Sequence, residues 1–314
     1  MALEPGREAV VRVAVATLWS RPDAVDTVDR PALGAVADIS GWVSGMDAEQ
    51  QVRECVLSQL LLGERVLVQE LRPDGWARVV AVEQPAAKLD PRGYPGWLPA
   101  GQLTVPPPAA PVVLGNAAGC PAVVVVDAVS TALRAAPDGA VALPGVTLGT
   151  RLVPAGPPVR GWRPVWVPDQ DRPLWANERD LAEPPATPPP ATQVLAMARR
   201  LNDVRYVWGG VSGYGIDCSG LVHLAWRRFG VRLPRDADDL ARATTPLAFG
   251  EERPGDLYFF ARPGRAVHHI GFVSADPGAD GPHMLHACYA KRRVLDEPLP
   301  SERVATLVAV HRVP

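Results

Sequence analysis

Short runs of alternating apolar and polar residues fill the N-terminal half of the chain, the period-2 pattern of half-buried strands. VRVAVATLWS (11–20), ERVLVQEL (64–71) and WARVVAVE (76–83) carry it, and RPDG between the last two is a hairpin-type turn. This block closes on DPRGYPGWLPAGQL (90–103), and TVPPPAAP (104–111) then breaks the pattern, because consecutive prolines cannot join a ladder. A second block of the same character follows in AVVVVDAVSTALR (122–134), VTLGTRLVP (146–154) and WRPVWVP (162–168), and it ends at LWANERDLA (174–182). The two blocks read as a weak internal repeat of two small all-β barrels, joined by short strands and turns throughout. EPPATPPPAT (183–192) is a stiff Pro-rich linker.

Beyond the linker the period changes. QVLAMARRL (193–201) reads as a helix with Thr192 as its N-cap. After the Gly-rich stretch YVWGGVSGYGID (206–217), the segment CSGLVHLAWRRFG (218–230) places Leu221, Val222, Ala225, Trp226 and Phe229 on one helical face, with Gly230 placed to end it. LYFF (257–260), HHIGFV (268–273), MLHACY (284–289) and TLVAVHRV (306–313) are strand-like. A helix-first region followed by antiparallel strands predicts an α+β domain. The expected division is 1–105 and 106–182 for the barrels, 183–191 for the linker and 192–314 for the α+β domain.

Composition agrees with this plan. The 314 residues include 35 prolines, about twice the usual share, which favours turns, edges and linkers over long helices. The net charge is −2, so no concentrated basic surface points to nucleic acid. The N-terminus lacks a basic start followed by an apolar core, and no run approaches a membrane span; the expectation is a cytoplasmic monomer. Cys55, Cys120, Cys218 and Cys288 are few and irregularly spaced, which predicts free thiols.

Cys218 is the first residue of a predicted helix, between Asp217 and Ser219 and after Gly209, Gly210, Gly213 and Gly215. A helix N-terminus favours a thiolate, and its N–H groups suit an oxyanion. A thiol nucleophile needs a base. His269 lies on one predicted strand, with His268 turned to the other face, and His286 lies on the next, positioned to hold the imidazole of His269 in one tautomer. A zinc set drawn from His268, His269, His283, His286 and Cys288 is the rival reading, but no metal-binding spacing is present, and the expectation is no metal and no cofactor. His223 and His311 read as packing residues.

These motifs resemble the NlpC-type murein peptidases, a bacterial branch of the papain-like fold. The resemblance rests on Tyr206-Val207-Trp208-Gly209-Gly210, Asp217-Cys218-Ser219-Gly220-Leu221-Val222, Leu233-Pro234-Arg235-Asp236, Pro254-Gly255-Asp256-Leu257, His269-Ile270-Gly271-Phe272-Val273 and Met284-Leu285-His286-Ala287. It implies Cys218 as nucleophile, His269 as base, His286 as its orienting partner, with His283 as competitor, and Tyr206 with its hydroxyl near the reacting carbon. Gly93-Tyr94-Pro95-Gly96-Trp97 and Gly63-Glu64-Arg65-Val66 resemble the first bacterial SH3 domain of γ-D-glutamyl-L-diamino-acid endopeptidases. That implies two SH3-like barrels ahead of the peptidase domain, and an amine-binding pocket from Tyr94, Asp236 and Glu64. Asp217, Ser219 and Arg235 join these as candidate substrate-binding residues. The implied activity is hydrolysis of the γ-D-Glu to diamino-acid bond in murein peptides with a free N-terminal L-alanine, during recycling of wall fragments. A muramoyl-L-alanine amidase and a non-catalytic wall-binding module are the alternatives.

Overall fold

The computed structural model describes residues 2–106, 123–276 and 281–314. Cys120, the end of the TVPPPAAP break and part of the ADPGADGPH loop lie outside the described residues.

The first sheet is antiparallel and has seven strands: Glu8–Val11, Val15–Trp19, Val56–Leu61, Arg65–Leu71, Trp76–Ala81, Tyr94–Pro99 and Leu103–Thr104. RPDG does form the turn between the fourth and fifth, with Gly75 in the left-handed region at φ +87°. The second sheet also has seven strands, from Val124–Val126 to Leu181–Ala182. Counted by chain order within each sheet, both run third, second, sixth, fifth, fourth, first, seventh. The two blocks of alternating sequence thus share one topology.

One segment departs from the sequence expectation of strands and turns alone. Between the second and third strands the chain forms helical turns, including the helix Ile39–Gly45. Asp38 caps it by accepting from the Gly41 N–H at 2.8 Å, and Ile39, Trp42 and Val43 bury its inner face. The Trp42 ring lies 5.6 Å from that of Trp19, and its indole N–H donates to buried Asp29 at 2.9 Å. These side chains pack into the same apolar cluster as Leu221, Leu224 and Trp226 of the C-terminal region. Truncating one such tryptophan costs about 3–5 kcal/mol, so the insertion ties the first sheet to the C-terminal region.

The C-terminal region begins with the helix Ala191–Ala198, preceded by Pro190 and lacking a side-chain cap. Thr192 therefore lies inside the helix and does not cap it; Pro190 ends the extended linker and the helix starts one residue later. The helix Cys218–Arg227 follows, capped by Asp217. It packs against a six-stranded antiparallel sheet ordered Thr245–Leu247, Leu307–Arg312, Leu257–Ala261, Val267–Val273, His283–Cys288, Arg293–Pro298. Ile270, Phe272, Leu285 and Ala287 face the helix, while Tyr258, Phe260, Val273, Met284 and Val310 form a second cluster on the other side.

Asp127 fastens the second sheet to this region. Its carboxylate accepts from Arg228 at 2.5 Å and from Arg200 at 2.8 Å, and its carbonyl accepts from Arg200 at 2.6 Å. Burial works against the charge, but the two guanidiniums hold the carboxyl below its ordinary range. Asp127→Ala leaves the buried Arg228 without its acceptor and should lower stability by roughly 1–3 kcal/mol, read as a fall in Tm; an unchanged Tm would show the junction to be held by apolar contacts alone.

Candidate active site

The loop ahead of Cys218 is braced by the regions of both N-terminal sheets. The N–H of Trp208 donates to the Gln51 carbonyl at 2.8 Å and that of Val211 to the Gln59 side chain at 3.0 Å, both in the first sheet's region. The N–H of Gly213 donates to Thr147 of the second sheet at 3.0 Å. Gly209 adopts φ +74°, and a Cβ there would stand 2.6 Å from Val56. The loop thus approaches the first sheet more closely than any side chain permits.

Asp217 and Arg235 close the loop. The Asp217 carboxylate accepts from the N–H groups of Gly220 at 2.7 Å and Gly209 at 2.9 Å, and from Arg235 at 3.0 and 2.6 Å. Arg235 is 1% exposed and also donates to Ser58 at 3.0 Å and Ser219 at 2.9 Å. Asp217, Ser219 and Arg235 therefore form one enclosed network whose donors and acceptors face each other.

Cys218 is buried at the start of its helix. Strand Val267–Val273 pairs with His283–Cys288 only at Phe272 and Val273, so the two strands part ahead of His269. The Ile270 N–H, next in sequence to His269, points at the Cys218 sulfur, as does the N–H of Ser219. The thiolate expected from the helix terminus is opposed by burial. Burial, with the Asp217 charge second, pushes the Cys218 thiol up to about 12, outweighing these N–H groups.

The histidines form a chain. His269 Nε2 lies 2.8 Å from His286 Nδ1, and His286 Nε2 lies 3.2 Å from Glu297 Oε1. A Cβ on Gly271 would meet the His286 Cβ at 2.8 Å, so glycine lets the two strands bring both rings together. His286 is fully buried, and burial lowers it to about 4; burial and then His286 push His269 well below its ordinary value. Burial raises the Glu297 carboxyl, but Lys291 and His286 hold it lower, leaving it ionised. Lys291 reaches the second oxygen of Glu297. Glu297 was not singled out from sequence; its signal is the strand register, which sets it opposite Met284 and diagonal to His286. His283 starts the same strand and makes no contact with His269 among the described hydrogen bonds. Of the candidate zinc residues, His286 and Cys288 come together, with Glu297, to within 4.8 Å between ligand atoms.

Tyr206 is buried; its ring packs edge-on against Tyr289 at 5.6 Å, and burial, then the Cys218 and Asp217 charges, raise its hydroxyl. Tyr94 crosses from the first sheet so that its hydroxyl lies 3.2 Å from Asp236. The Lys88 ammonium sits at 2.9 Å from Asp236 and 2.6 Å from Asp238. Glu64 is not part of this group. It is buried 3.1 Å from Arg227, the last residue of the cysteine helix, and accepts from the Leu61 N–H and Gln84. Nine residues of helix, roughly 13 Å, separate that position from Cys218. The family-like GERV segment thus turns its carboxylate inward to pair with Arg227.

The sequence profile of the NlpC/P60 family matches residues 203–306, the stretch that holds Tyr206, Cys218, His269, His286 and Glu297. This stretch is an NlpC/P60 domain. The chain is 27% identical over 305 residues to a γ-D-glutamyl-L-lysine dipeptidyl-peptidase of Bacillus cereus, covering 93% of this chain and 86% of that protein. It is 28% identical over 283 residues to the protein of the same name from Bacillus subtilis, covering 87% and 88%. The crystal structure of an NlpC/P60 family protein from Bacillus cereus superposes with a TM-score of 0.86 at 25% identity, covering 98% of this chain and 100% of that one. The protein is a cysteine peptidase. No helix among the described residues is long and apolar enough to cross a membrane.

The neutral burial of His223, lowered to about 3, His286, lowered to about 4, and His269 makes stability depend on pH. Unfolded, each binds a proton below about pH 6.5; folded, each resists it to lower pH. Stability is therefore full above about pH 6.5 and should fall toward pH 4 by up to about 1.4 kcal/mol per pH unit per histidine. Urea denaturation at several pH values checks this; a midpoint unchanged from about pH 7 to about pH 5 contradicts it.

Proposed function

We propose that this peptidase hydrolyses the γ-D-Glu to diamino-acid bond of short murein peptides that carry a free N-terminal L-alanine. The observation that carries the proposal is the meeting of Tyr94, from the GYPGW strand, with Asp236 of the NlpC/P60 domain, beside which an ammonium, that of Lys88, already sits. A buried ammonium needs carboxylate partners, and Asp236 with Asp238 supplies them. The names of the two Bacillus relatives support the same bond class. On this reading Asp236 and Tyr94 receive the alanine amine, and the pocket forms without Glu64.

The site residues then take these roles. Cys218 attacks the γ-carbonyl of D-Glu while its proton passes to His269, because a neutral thiol beside a neutral imidazole becomes a nucleophile only as the proton moves. The N–H groups at the start of the cysteine helix receive the developing oxyanion. His269 returns the proton to the leaving amine, and water then releases L-Ala-γ-D-Glu from the acyl-enzyme. Tyr206 borders the sulfur, and Asp217, Ser219 and Arg235 hold the loop in shape. We read the first two sheets as SH3-like barrels over 1–105 and 106–182, with the linker at 183–191 and the peptidase domain at 192–314. The first barrel narrows the cleft through Tyr94.

L-Ala-γ-D-Glu-diamino acid should be cleaved by the intact protein and left whole by Cys218→Ala, with products followed by mass. The N-acetylated peptide should survive, since an amide nitrogen offers no charge to Asp236; equal cleavage of both forms would remove the amine specificity and favour an amidase-like pocket. Asp236→Asn should lower kcat/KM for the free-amine peptide about 100-fold, the scale of losing one partner of a buried ion pair, about 2–3 kcal/mol.

A further inference from the structure

We propose that Glu297 is a positioning residue that fixes the tautomers of both histidines and so leaves His269 able to accept the proton of Cys218. The inference rests on the peptidase reading above for its activity test, but the assignment itself follows from hydrogen-bond direction.

A carboxylate oxygen accepts and does not donate. His286 Nε2, 3.2 Å from Glu297 Oε1, must therefore carry the hydrogen of that bond. A neutral imidazole holds one N–H, so His286 Nδ1 is a lone pair. The contact of 2.8 Å between His286 Nδ1 and His269 Nε2 then has His269 as donor. With its hydrogen on Nε2, His269 presents Nδ1 as a lone pair, and no described residue hydrogen-bonds that nitrogen. The strand geometry puts the Cys218 sulfur beside Ile270, next to His269. One carboxylate, two residues removed through the ring chain, decides which nitrogen of His269 is left free to accept a proton. Reverse the chain, with His286 donating from Nδ1, and His269 would carry its hydrogen on Nδ1 and offer the thiol a donor instead of a base.

The surroundings keep this direction. His286 is fully buried, so water cannot replace the acceptor at Nε2. Lys291 reaches the other oxygen of Glu297, so the carboxylate is anchored at both ends while its charge is balanced near the surface. Each outer group in such a chain orients the next.

The test uses the full-length protein with 15N-labelled histidine. The wild-type spectrum should show His286 and His269 both protonated at Nε2 and bare at Nδ1, assigned with His286→Asn. Glu297→Ala should mix the two tautomers and lower kcat about 10-fold with KM little changed. Glu297→Gln, whose side-chain oxygen still accepts, should recover part of the loss. A wild-type spectrum with His286 protonated at Nδ1 overturns the proposal, whatever peptide the enzyme cleaves. So does a Glu297→Ala protein with unaltered tautomers and unaltered kcat. If Glu297→Ala lowers only Tm, and Gln restores Tm without shifting tautomers, the residue is merely structural and the proposal also falls. Failure to cleave the peptide, with the spectrum as stated, would sink the substrate reading and leave the tautomer assignment standing.

Discussion

Inside the molecule, where water cannot help, the carboxylate of Asp217 accepts from the first turn of the cysteine helix, from the loop at Gly209 and from both terminal nitrogens of Arg235. Arg235 in turn reaches Ser58 in the first sheet. Such a buried pair adds little net stability, because desolvation offsets attraction, but removing either partner strands a charge. Its value here is geometric. It fixes where the helix begins, and so where the Cys218 sulfur lies relative to the parting strands. The bracing by Gln51, Gln59 and Thr147 acts on the same loop, which is why the peptidase domain is built into its neighbours and not simply tethered to them.

Burial governs the chemistry as well as the shape. The helix terminus and two N–H groups favour a thiolate, yet removal from water and the neighbouring Asp217 charge win. The same desolvation keeps His269 and His286 neutral. Burial thus works against a separated ion pair between sulfur and imidazole.

Much of this was readable from the residues. The shift from period 2 to period 3.6, the Gly-rich loop, Cys218 at a helix start and two histidines on successive strands all follow from local pattern. The helix at Ile39–Gly45 was also readable, since Asp38 precedes apolar residues at Ile39, Trp42 and Val43, but the surrounding strand pattern masked it. Other features depend on long-range placement. Glu64 keeps its family-like neighbours yet pairs with Arg227, because the identity of a strand residue does not fix what faces it in the fold. Glu297 sits in LDEP, an ordinary polar strand, and gains meaning only through a diagonal cross-strand neighbour. The rise in the Cys218 pKa depends on how much protein covers the sulfur, which no local motif encodes.

Lys88 gives the proposed amine pocket an unusual starting condition. Burial works against its charge, yet Asp238 and Asp236 hold it above the ordinary lysine range, and its ammonium already balances one of the two carboxylate charges. On the proposed reading, arrival of a peptide amine there would be a cation exchange, in which the tethered guest swings back into water as the free one enters. The total charge of the pocket would stay constant through such a swap. Affinity would then reflect the difference between two ammoniums in one seat, with ambient salt competing with resident and newcomer alike.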